Sequence, residues 1–95
     1  MTPINHYHAT LVKWLSELGI SHVEEYPVGR WSLDVFLPEL GKYGCGVEVD
    51  GPAHNKRKDA ERDAQIFIGW GITIVRIPVG TKKAVALEKI FGSYD

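Results

Sequence analysis

A single cysteine, Cys45, stands in a chain of 95 residues. An internal disulfide is excluded, and the chain reads as a protein of a reducing compartment. No apolar run approaches the roughly 20 residues of a bilayer span. No secretory signal pattern opens the chain either, so a soluble, cytoplasmic protein with no membrane partner is expected. An excess of one charge is also lacking: 11 Lys and Arg face 12 Asp and Glu, for a net charge of −1. A global pull on a polyanion is thereby excluded, and any nucleic-acid contact must come from a local basic patch. Repeats, low-complexity segments and linkers are missing too, which leaves one domain over 1–95. With 44% hydrophobic and 24% charged residues, the composition suits a globular fold with a modest core.

What is present is a clear succession of patterns. Thr2 as N-cap and Pro3 as first helical residue open a helix. Ile4, Leu11, Leu15 and Leu18 recur in it at helical spacing, with Trp14 beside them, and Gly19 ends it. Ile20 to Tyr26 reads as a short strand and Pro27-Val28-Gly29-Arg30 as a turn. Trp31 to Leu37 is a second strand, with Leu33, Val35 and Leu37 on one face and Ser32, Asp34 and Phe36 on the other. After a loop over Pro38–Gly44, Cys45 to Asp50 forms a third strand.

Lys56 to Trp70 reads as a helix whose apolar stripe is Ala60, Ala64, Phe67 and Ile68. Asp59, Arg62, Asp63 and Ile66 lie on another side of it. Ile72 to Ile77, β-branched and almost wholly apolar, is a buried strand. Thr81 caps a last helix to about Phe91, which turns Ala84, Leu87, Ile90 and Phe91 inward. The expectation is an α/β fold of order αβββαβα, a mixed sheet flanked by helices. Its first three strands form an antiparallel meander, and the crossover helix brings in the last strand parallel to a neighbour.

The chemistry concentrates in Val47-Glu48-Val49-Asp50-Gly51-Pro52-Ala53-His54. Alternation sends Glu48 and Asp50 to the same face, and Gly51-Pro52 ends the strand just before His54. Asp34, in mid-strand where aspartate is disfavoured, lies one hairpin upstream. A solvated meander face carries mixed charge, whereas this one carries three acids and no base. Convergent carboxylates repel unless a cation sits between them. A hard divalent ion, Mg²⁺ with Mn²⁺ as substitute, is therefore expected on Asp34, Glu48 and Asp50. His54 is the candidate proton carrier, with Asp59 to orient it. Lys56-Arg57-Lys58, Arg62 and Arg30 are the candidate phosphate contacts, the first three beside a helix N-terminus. His6 and His8 fall off the main apolar stripe of the first helix and are expected in solvent; His22 carries little weight.

The runs Arg30-Trp31-Ser32-Leu33-Asp34-Val35-Phe36, Val47 to His54, Asp59-Ala60-Glu61-Arg62-Asp63 and Gly69-Trp70-Gly71-Ile72-Thr73-Ile74-Val75-Arg76 together resemble a family. It is the very-short-patch-repair endonuclease-like branch of the PD-(D/E)xK nuclease superfamily, notably its small stand-alone or homing-endonuclease-type domains, often from phage or bacterial genomes. The resemblance implies a restriction-endonuclease-like core. It makes Asp34 the metal-bridging aspartate and Glu48 the second acid. Asp50 stands where the superfamily more often has lysine, and His54 takes over proton transfer. Asp59 and Arg62 match the helix signature of the branch. Relatives often carry a glutamate on the first helix that reaches the metal. Here the nearest positions are Asn5 and His8, with Glu17, Glu24 or Glu25 as compensators.

The function expected on this basis is a Mg²⁺-dependent DNA endonuclease of a bacterial or phage-infected cell. So small a chain needs a homodimer, a partner chain or a separate DNA-recognition domain for specificity. Two rival readings stand beside it: a nuclease-fold module without turnover that serves DNA docking or assembly, and a nuclease acting on RNA or branched DNA.

Overall fold

The computed structural model describes residues 3–53 and 55–92. The expected cap at Thr2 and the candidate base His54 lie outside the described residues, as does the Ile4 side chain. Helix α1 spans Pro3–Glu17, followed by β1 (Val23–Val28), β2 (Trp31–Leu37) and β3 (Cys45–Asp50). Helix α2 (Lys56–Trp70), β4 (Thr73–Pro78) and α3 (Lys83–Phe91) complete the chain. The order is αβββαβα, and the four strands form one mixed sheet in the order β1-β2-β3-β4. β1, β2 and β3 pair antiparallel, while β3 and β4 run parallel across the α2 connection. No helix among the described residues is long and apolar enough to cross a membrane.

Two hydrophobic clusters sandwich the sheet. Leu11 and Leu15 of α1 and Ala86 and Ile90 of α3 pack on Val35, Leu37, Val47 and Ile77. On the other face Ile66 of α2 meets Val28, Leu33, Phe36 and Ile72. β3 is covered on both sides and buried along its length. Every polar side chain it carries must therefore find a partner inside the protein.

Several local expectations shift, each for a physical reason. α1 stops where Gly19 predicts, at φ 70°. The amides of Gly19 and Ile20 close back on Ser16 O and Leu15 O at 3.0 and 2.9 Å. That glycine cap consumes Ile20, so β1 starts at Val23 rather than at Ile20. β1 also runs on through Pro27 and Val28, which pair with Ser32 and Trp31, and the turn shrinks to Gly29-Arg30. Proline is tolerated because β1 is an edge strand with no neighbour awaiting its N–H.

On α3 the cap is Lys82, not Thr81, whose hydroxyl instead bonds Pro78 O at 2.6 Å. Ala86 is the buried alanine there and Ala84 is exposed. On α2 the expected inward stripe is reversed: Phe67 is 58% and Ile68 83% exposed, while Ile66 is fully buried. The side with Asp59, Arg62 and Asp63 faces the sheet, because buried charges on β3 and β4 require partners there.

Candidate functional site: a break in the sheet at Asp34

The sheet is interrupted along one line. The β1–β2 register pairs Glu24 with Val35 and Tyr26 with Leu33, so Glu25 and Asp34 would face each other, yet no pair forms there. Glu25 adopts φ 51°, the left-handed region that is uncommon for a residue with a Cβ. The β2–β3 ladder likewise stops at Val35–Val47, one position short of Asp34 and Glu48. Side chains replace the missing ladder bonds. The Asp34 N–H donates to Glu48 Oε2 at 2.6 Å, and the Val49 N–H donates to Asp34 Oδ2 at 2.8 Å. The break also changes which face β2 presents. Leu33 packs with Phe36 on the α2 side instead of sharing a face with Val35 and Leu37. Gly46 makes room for this, since a Cβ there would sit 2.8 Å from Leu33 Cδ1 and 2.7 Å from Ile74 Cδ1.

Asp34 and Glu48 are thus brought together, but their carboxylates have different company. Glu48 is only 5% exposed and accepts a short ion-paired hydrogen bond from Arg62 Nη2 of α2. Burial raises its pKa, as does the charge of Asp34, against the opposing pull of the Asp34 N–H and of Arg62. Among the described residues the buried Nε of Arg62 has no hydrogen-bond partner and lies 3.7 Å from Asp63 Oδ1.

The Asp34 carboxylate instead meets His8 of α1 and Glu25 of β1. One donor atom from each of the three lies within 4.8 Å of the others. Ligand bonds of about 2.0–2.6 Å let one divalent ion bridge donors at that separation. A nitrogen donor with two carboxylates suits Mn²⁺ or a later transition metal better than Mg²⁺. His8 Nε2 also contacts Glu24 Oε1 at 3.0 Å, so a carboxylate stands beside one nitrogen of the ring.

The three acids expected on one point therefore do not form one donor set. Among the described residues the group with ligand spacing contains Asp34 but neither Glu48 nor Asp50. Asp50, 9% exposed, is held by Arg76 Nη1 at 2.8 Å. The same guanidinium takes Asp63 in a two-pronged pair, 2.8 Å from Nε and 2.7 Å from Nη2, and stands 3.4 Å from Asp59. Burial opposes the Arg76 charge, but Asp63, then Asp50 and Asp59, outweigh it and hold the group more firmly protonated than usual. The acidic face expected to lack bases in fact carries Arg62 and Arg76, supplied by elements distant in sequence. Asp59, expected to orient His54, contacts Arg76 among its partners.

Of the candidate phosphate contacts, Arg30, Lys58 and Arg62 line one groove of about 380 Å³ together with Trp31, Gln65 and two acids, Asp59 and Glu61. Arg30 lies over the Trp31 ring, 4.8 Å from its centroid. Lys56 opens on a separate cavity of about 300 Å³ beside Asp50 and Arg76. Arg57 is exposed and pairs with Glu61 at 3.5 Å.

The helical pattern alone puts His8 in solvent; only the family resemblance names it, with Asn5, as nearest to the metal-reaching position, and it gives Glu25 as one of several compensators. The signal for His8 was available: with Leu11 and Leu15 it follows the i, i+3, i+7 spacing of a single helical face. Glu25 carried none, because its position depends on the skipped β1–β2 pair. A comparison with protein families, curated proteins and solved structures matched none of them.

Proposed function

We propose that the protein is a metal-dependent phosphodiesterase acting on DNA, built on a restriction-endonuclease-like core. The observation that carries this reading is the meeting of His8, Glu25 and Asp34 at ligand spacing, at the point where Asp34 and Glu48 interrupt the sheet. Asp34 is the common member: its carboxylate belongs to the donor set and also braces β3 through the Val49 N–H. A divalent ion bound there supplies polarisation of the scissile phosphate and a water of lowered pKa. Glu48 holds the Asp34 backbone in position and ties it to Arg62. Arg62 reaches from that brace into the groove that Arg30 and Lys58 share, where a phosphate backbone finds cationic donors. His54, four residues beyond Asp50, is the proposed proton carrier.

The test is nicking of supercoiled plasmid with Mn²⁺ or Mg²⁺, run beside Mn²⁺ binding by calorimetry. Wild type should cleave, with Mn²⁺ the better activator. Asp34→Asn should lose about 100-fold or more of the activity, and both Asp34→Asn and His8→Ala should weaken Mn²⁺ binding. A wild type that binds Mn²⁺ but cuts no duplex, branched DNA or RNA would favour a docking module without turnover. The pairing of Glu48 and Asp50 with arginines lends that second reading its support. A wild type that neither binds Mn²⁺ nor cuts any substrate refutes the metal site.

A further inference from the structure

Helix α2 turns an apolar stripe outward. Ala60, Ala64 and Phe67 are exposed, and Ile68, at 83%, is the most exposed large hydrophobic residue among those described. At 3.6 residues per turn these positions cover an arc of roughly 100°, the width of a stripe that normally packs on another surface. Among the described residues the core on this side of the sheet takes Ile66 from the opposite side of the helix, and of the stripe Ala60 borders the cavity beside Asp50 and Arg76.

Two features of the helix specify what covers it. The first is shape. The small residues Ala60 and Ala64 lie in its N-terminal half and the large Phe67 and Ile68 in its C-terminal half. A second α2 running antiparallel places Ile68 over Ala60 at both ends and Ala64 against Ala64, with Phe67 falling over the aliphatic stem of Glu61. A parallel neighbour would stack large on large. The second is charge. The helix opens with Lys56, Arg57 and Lys58, against one acid, Asp59, in its first turn, and it has no basic residue in its last turn. Both ends are poorly matched to a helix dipole, which favours anions at the start and cations at the end. In the antiparallel register that sets Ile68 on Ala60, Arg57 falls beside Gly71 of the second copy. Each copy thus provides the cation that the other's C-terminus lacks.

We propose that α2 is the interface of a two-fold symmetric homodimer, antiparallel and centred on Ala64. The interface does not depend on the chemistry proposed above and stands whether or not the chain cleaves DNA.

A cysteine scan with sedimentation tests it. The chain's own Cys45 is fully buried, so an introduced surface thiol is read alone. Ala64→Cys sits on the two-fold axis and should form a disulfide-linked dimer under mild oxidation. Val85→Cys, on the exposed side of α3, should stay monomeric on the same gel. In sedimentation, wild type should dimerise, and Ile68→Glu should weaken association about tenfold or more. Ile68 makes so little contact within its own chain that Ile68→Glu should leave the melting temperature of the monomer unchanged. A wild type that sediments as a monomer at the highest concentration it tolerates leaves the stripe to a different partner and overturns the proposal. So does a wild-type dimer in which Ala64→Cys fails to crosslink, because the contact then lies on another surface.

Discussion

Arg76 gathers three carboxylates, and its removal has a calculable consequence. Arg76→Ala strips the guanidinium from Asp50, which is 9% exposed, and from Asp63 and Asp59, each about a fifth exposed. Breaking a buried ion pair by deleting one partner costs ~3–5 kcal/mol, because the remaining charge stays desolvated. Here water reaches Asp59, Asp63 and Arg76 itself, so the low end, about 3 kcal/mol, is expected. For a domain of this size each kcal/mol moves the melting temperature about 4–8 °C, so a fall of about 12–24 °C follows.

The pH dependence separates this cause from a simple loss of packing. Without Arg76 three carboxylates face one another with no cation between them, and their mutual repulsion weighs on the folded state for as long as they are charged. The variant's deficit should therefore be largest near neutrality and shrink as pH falls towards about 4, where aspartates neutralise. Arg76→Lys keeps the charge and loses the two-pronged geometry on Asp63, and should fall between wild type and Arg76→Ala. The assay is urea and thermal unfolding of the three proteins between neutrality and mild acid. A deficit below about 1 kcal/mol, or one that does not change with pH, would refute the claim that Arg76 compensates these acids.

Other outcomes follow from the same geometry. Glu48 has a raised pKa in the folded state, mainly through burial, so its contribution to stability is greatest below about 4.5 and is lost as pH rises through the raised value. The difference in unfolding free energy between wild type and Glu48→Gln should therefore fall as pH rises from about 4.5, and a flat difference counts against the shift. Gly46→Val drives a branched side chain into Leu33 and Ile74 and should cost about 1–3 kcal/mol, read as a lower urea midpoint at unchanged slope.

Local chemistry makes much of this molecule legible in its residue order. The αβββαβα succession, the bounds of β2, β3 and α2, and the meander with a parallel last strand all follow from hydrophobic periodicity and short links. Asp34 and Glu48 can be singled out because carboxylates in mid-strand contradict the surrounding pattern. Other features depend on contacts between segments far apart in the chain. Which side of α2 faces inward was decided by Glu48 and Arg76 needing charged partners, so the polar side won over the apolar one. His8 and Glu25 join Asp34 only because two strand ladders fail at the same place. Periodicity reports the apolar area a segment must hide. It is silent about desolvated charges, whose cost is set by neighbours that only the folded chain provides.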